Sequence, residues 1–161
     1  MAWEKNGTPD TLGSDGDTIE ITDLTSKKFN QFLCHALATA GVLLEYVFNA
    51  DTTGVYAARQ SINGAADGTS TSDNGLRPDG FAQGADFLSI GYCCNISGEE
   101  KLVIEFLMHQ NATGAANAPA RCELVGKYVP SPDADITEVR IANDQAGDYL
   151  TSSNLSALGT D

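Results

Sequence analysis

From Phe87 to Gln110 the chain carries two apolar runs separated by Ser97-Gly-Glu-Glu100. The first reads Phe-Leu-Ser-Ile-Gly-Tyr-Cys-Cys-Asn-Ile, the second Lys-Leu-Val-Ile-Glu-Phe-Leu-Met-His-Gln. Both are dense in β-branched and aromatic residues, which suit a pleated surface. A short polar break containing Gly98 predicts a β-hairpin between them. Neither run alternates cleanly, so both are expected to be central strands covered on much of both faces.

The same reading predicts strands at Thr18–Thr22, Val42–Phe48, Arg121–Val129 and Ile136–Ala142, with an extended segment at Tyr149–Leu158. Phe29–Thr39 is ambiguous. Phe29, Phe32, Leu33, Ala36 and Leu37 match helical spacing, while strand alternation puts Phe32, Cys34 and Ala36 on one face. A lone helix in an otherwise all-β chain needs a layer of its own, so a strand is expected. Residues 55–84 turn polar and Gly-rich and read as a long surface excursion, the kind of loop that carries contacts. Residues 1–10 read as an extended N-terminal arm. Some eight to ten short strands predict an antiparallel β-sandwich of jelly-roll type, a single domain over 1–161.

Charge narrows the functions open to such a fold. The 161 residues include 9 basic and 22 acidic side chains, for a net charge of −13. That balance disfavours nucleic acid and anionic membranes as partners. No run approaches the ~20 apolar residues of a membrane helix. The first ten residues lack the apolar stretch of a secretory leader, so synthesis in a cytoplasm is expected.

Candidate chemistry is sparse. Cys34, Cys93, Cys94 and Cys122 all fall in predicted strands and read as small buried hydrophobes. Adjacent Cys93 and Cys94 must face opposite sheet surfaces. With His35 and His109 they lack the paired spacing of a zinc site. Acidic turns at Asp15 and Asp17, Asp67 and Asp73, and Asp144 and Asp148 offer oxygens of the kind calcium takes. Asp is also an ordinary turn residue, and the turn reading is preferred. No Gly-x-Ser-x-Gly elbow is present, and Glu45, Glu105 and Glu123 read as outward strand positions. Four Asn-x-Ser/Thr matches, at Asn6, Asn95, Asn111 and Asn154, are chance without a secretory route. No catalytic residue, cofactor or metal is therefore expected. Trp3, Tyr56, Arg59 and Arg77 are the candidate interface anchors, being aromatic or Arg residues in or beside the arm and the long loop.

Ala2-Trp-Glu-Lys5, Leu12-Gly-Ser-Asp-Gly-Asp-Thr-Ile19, Tyr56-Ala-Ala-Arg-Gln-Ser61, Asn63-Gly-Ala-Ala-Asp-Gly-Thr69, Asn95-Ile-Ser-Gly-Glu-Glu-Lys-Leu102, Ala115-Ala-Asn-Ala-Pro119, Gly147-Asp-Tyr149 and Leu155-Ser-Ala-Leu-Gly-Thr-Asp161 occur in that order. Together they resemble a group of small β-rich proteins from marine phages and environmental viral sequences. The group has no settled activity to transfer. The resemblance implies a virion structural protein, located in the virion and acting by protein contact. A capsid decoration or surface subunit is the form expected, bound to other virion proteins, the major capsid protein foremost. A homo-oligomer, with a trimer favoured, is expected too. A tail or fibre module that binds a receptor or glycan, a self-assembling coat or filament, and a glycan-degrading hydrolase are the competing readings.

Overall fold

The computed structural model describes residues 2–38, 41–78, 86–131 and 134–161. In chain order the strands are β1 (Glu4–Lys5), β2 (Asp10–Thr11), β3 (Thr18–Ile21), β4 (Phe29–Ala36), β5 (Glu45–Phe48) and β6 (Tyr56–Ile62). They continue as β7 (Gly68–Asp73), β8 (Phe87–Cys94), β9 (Lys101–His109), β10 (Ala120–Tyr128), β11 (Val139–Ala142) and β12 (Asn154–Thr160). Every pairing is antiparallel. A large sheet runs β1-β12-β4-β8-β9-β10-β6-β7, with β2 added on β12, and a small sheet runs β3-β11-β5. The protein is therefore an all-β sandwich, divided nine strands to three among the described residues. An eight-stranded jelly roll divides its strands evenly between two sheets.

One buried cluster joins the two sheets. The large sheet contributes Phe32, Cys34, Phe87, Leu107, Leu124, Tyr128 and Leu155, and the small sheet Ile19, Ile21, Phe48, Val139 and Ile141. Aromatic rings form its spine. Phe32, Tyr46, Phe48, Tyr56 and Tyr128 follow one another at centroid separations from 4.9 to 6.3 Å. Burying each such ring contributes about 2–3 kcal/mol. Gly126 in β10 belongs to this packing: a Cβ there would lie 2.6 Å from Leu76 Cδ2 and 3.2 Å from the Ala57 carbonyl oxygen, so Leu76 would have to shift to admit a side chain.

Buried polar side chains tie the connections to this core. Asn95 Oδ1 accepts from the Ile136 amide at 2.8 Å, and its Nδ2 donates to the Lys27 carbonyl. Asn143 Oδ1 accepts from the Leu43 amide at 3.0 Å. The Tyr149 hydroxyl donates to the carbonyls of Leu43 and Ala142. Each replaces a backbone partner that a loop between short strands lacks.

The strand expected within Phe29–Thr39 is present as Phe29–Ala36, with Phe32, Cys34 and Ala36 wholly buried against the small sheet. Three expectations are corrected. The excursion at 55–84 is largely a hairpin of β6 and β7, with a register shift between Tyr56 and Ala57 and with Leu76 bridging Tyr46. Polar side chains hid β7, because it lies at the sheet edge and has no buried residue. Residues 79–84 of that excursion lie outside the described residues. The arm at 1–10 is docked rather than free, since β1 pairs with β12. Asn6 is buried, donating to Asn30 Oδ1 at 2.8 Å and accepting from the Thr25 amide. Lastly, β8 and β9 are central in the sheet but covered on one face alone, as their strictly alternating burial shows.

Candidate functional site

The small sheet covers only the inner face of the large one. The outer face is therefore set by register, and it forms cross-strand rows. One row runs Phe29, Cys94, Leu102, Lys127, Ala57. The next runs Gln31, Tyr92, Ile104, Val125, Arg59, and the third Leu33, Ile90, Phe106, Glu123, Ser61. The last holds His35, Leu88, Met108 and Arg121. The middle of all four rows is apolar.

These side chains are open to solvent. Leu102 is 60% exposed, Val125 51%, Ile104 and Phe106 48% each. Tyr92, Met108, Leu88 and Phe29 are exposed between 36% and 42%. A large side chain presents roughly 150–200 Å² when free, so the eight together offer on the order of 600 Å² of contiguous apolar surface. The largest patch on an ordinary monomer is about 300–600 Å² and often functional. A half-buried antiparallel sheet puts polar residues on its open face; here that rule is broken along β8 and β9, with Phe29 of β4 and Val125 of β10 extending the apolar surface to either side.

Two recesses mark this face. A groove of about 520 Å³ lies beside the β9 ridge, floored by Ala57, Ala58 and Gly126 and walled by Leu102, Thr69 and Thr71. A smaller one of about 250 Å³ lies among Trp3, Phe29, Tyr92, Leu102 and Ile104. The basic groups around the face have carboxylate partners: Arg59 with Asp67, Arg121 with Glu123, and Lys127 with Glu100. These are exposed pairs that add little stability, but they leave the flank nearly neutral.

The four anticipated anchors divide. Trp3, 46% exposed, joins the smaller recess, and Arg59 lines the groove. Tyr56 is buried in the sandwich, where its hydroxyl accepts from the Phe48 amide at 2.8 Å and its ring stacks on Tyr128. It presents nothing to a neighbour. Arg77 lies elsewhere, in an ion pair with Asp144 at 2.9 Å. The outer-face residues of β8 and β9 went unrecognised, because a run such as Leu-Val-Ile-Glu-Phe-Leu-Met looks covered on both sides. The polar intruders Ser89 and Glu105, both on the inner face, obscured the alternation further.

The inner face holds the arrangement nearest to chemistry. Glu105 sits fully buried, with Ser89 Oγ donating to its Oε1 at 2.9 Å and the Tyr46 hydroxyl 2.9 Å from Ser89 Oγ. Its Oε2 has no hydrogen-bond partner. Loss of hydration pushes the carboxyl up to about 8, with the Ser89 bond pulling weakly the other way. It is protonated at neutral pH. A serine against a neutral carboxyl, sealed between two sheets, has neither a base nor access to substrate. His109 packs on Phe87, and burial lowers its pKa. His35 is on the opposite face of the sheet, facing outward beside Leu88.

The acidic turns have local roles. Asp15 Oδ1 accepts from the Thr151 amide, Asp17 from Asn143 Nδ2, and Asp67 and Asp144 pair with arginines. Among the described residues no three His, Cys, Asp or Glu side chains converge as a metal site. Cys34, Cys93 and Cys122 are buried, and Cys94, half-buried, is on the outer face beside Leu102. Among the described residues, no helix is long and apolar enough to cross a membrane. No protein-family model matches the chain, and no curated protein matches it.

Proposed function

We propose that this protein is a structural subunit of a virus-like particle, working by protein–protein contact through the outer face of its large sheet. The observation that carries the reading is the contiguous apolar surface spanning β4, β8, β9 and β10. Keeping so many large apolar side chains in water has a free-energy cost of about 25 cal/mol per Å², which covering the face recovers. The virion role itself rests on the resemblance to marine-phage proteins. A decoration or surface subunit on the major capsid protein is its favoured form, with no catalytic step and no cofactor.

Quantitative mass spectrometry of purified particles tests it. Copies in the hundreds, comparable with the major shell protein, are expected. Absence from the particles would overturn the reading, and a handful of copies would move the protein to the tail.

A second reading, a glycan-binding tail or fibre module, has one observation in its favour. Trp3, Phe29 and Tyr92 gather round one recess, and aromatic rings stack on sugar faces. The aliphatic majority of the surface favours protein contact over the polar network a sugar requires. Glycan-array binding lost on Trp3→Ala would reverse that preference.

A further inference from the structure

We infer that the occupant of the outer face is a second copy of this chain, seated face to face about a two-fold axis. The inference rests on the outer face being the contact surface, and it names the partner.

Three features favour a copy over an unrelated protein. The first is shape. A two-fold contact requires one patch to complement itself. Here a ridge (Tyr92, Ile104, Phe106, Met108) and a groove floored by Ala57 and Gly126 lie side by side on one face. Rotating one copy brings its ridge over the other's groove. The second is area. On the order of 600 Å² of apolar surface plus a polar rim approaches the roughly 800 Å² per partner of a stable interface. Two sheet faces stack about 10 Å apart with side chains interdigitating, so the product is a four-layer sandwich with no new backbone conformation.

The third is charge. A chain of net charge −13 repels its own copies. Yet of its 22 acidic residues, Glu123 alone stands in the four rows, and it is paired with Arg121. Arg59 and Lys127 in the same rows pair with Asp67 and Glu100 at the rim, so face-to-face docking joins the two copies where opposite charges are balanced in pairs. Most of the other acidic groups stay on loops and on the far sheet, outside the contact, and ~0.15 M salt screens exposed charges more than about 8 Å apart.

The experiment is sedimentation equilibrium on the full chain, beside Ile104→Lys and a control variant, Thr137→Lys, on the far side of the molecule. Ile104 is at the centre of the patch and is half exposed, so the variant retains its core; circular dichroism and Tm verify this. A dimer at micromolar concentration is expected for the parent and for Thr137→Lys, with Ile104→Lys weakened at least a hundredfold. Cys94 supplies a second measurement. It is expected to react with a bulky maleimide in the Ile104→Lys monomer and to be protected in the parent dimer. A monomeric parent at 100 μM, or a dimer indifferent to Ile104→Lys with Cys94 still reactive, overturns the inference. Particle association by a monomer would overturn this pairing and leave the particle role standing; a dimer absent from particles would do the reverse.

Discussion

Glu105 makes the stability of this fold fall as pH rises. Its carboxyl is fully buried between the sheets, one oxygen held by Ser89 and the other without a partner. Burial raises its pKa from 4.5 to about 8. Between those values the folded state keeps a proton that the unfolded chain has released. Stability is then greatest below about pH 4.5 as far as this group is concerned, declines by up to ~1.4 kcal/mol per pH unit, and levels off above about pH 8. The whole span corresponds to roughly 5 kcal/mol, and the part already lost at pH 7 to about 3 kcal/mol. Glu105→Gln keeps an acceptor for Ser89 and cannot ionise. Urea unfolding of parent and variant from pH 5 to pH 9 measures the difference, in which other titrating groups cancel. The variant is expected to gain on the parent by several kcal/mol between pH 5 and pH 8, then run parallel to it. A difference constant to within about 1 kcal/mol across that range would refute the account of Glu105 as a neutral core carboxyl.

Three further outcomes follow from the packing. Tyr56→Phe leaves the Phe48 amide without its partner and is expected to lower stability by about 1–3 kcal/mol, read as a fall in the urea midpoint at unchanged slope. Burial pushes the Cys93 and Cys122 thiols up to about 12 and the Cys34 thiol higher still, so mass spectrometry after alkylation of the folded monomeric variant is expected to find Cys94 modified and the other three protected. Deleting residues 1–8 removes β1 and the buried Asn6–Asn30 bond; a loss of about 2–4 kcal/mol is expected, and an unchanged Tm would show that the arm contributes nothing to the fold.

Much of this architecture was legible in local pattern. The strands at Thr18, Phe29, Phe87, Lys101, Ala120 and Val139 all carry runs of β-forming residues, and turn residues separate them. The adjacency of Cys93 and Cys94 was enough to send one inward and one outward, because successive side chains in a strand alternate. The net charge argued against phosphate backbones as partners. Alternation also says which residues share a face, so Leu102, Ile104, Phe106 and Met108 were bound to lie together.

What the pattern left undecided is which faces find a cover. Strand composition reports affinity for apolar surroundings, not their supply. The nine-to-three division of strands leaves a small sheet able to cover only one side of β8 and β9. That imbalance turned an anticipated core into an open surface and drew Glu105, expected outside, into the interior. Tyr56 went the same way, since pairing of β6 with β10 aims its ring at Tyr128. Edge strand β7 escaped notice for the converse reason: backbone hydrogen bonds to β6 hold it with scarcely any buried side chain. Except for the local β6–β7 hairpin, pairing partners many residues apart along the chain decided these outcomes, and such partnerships form only when the whole sheet closes.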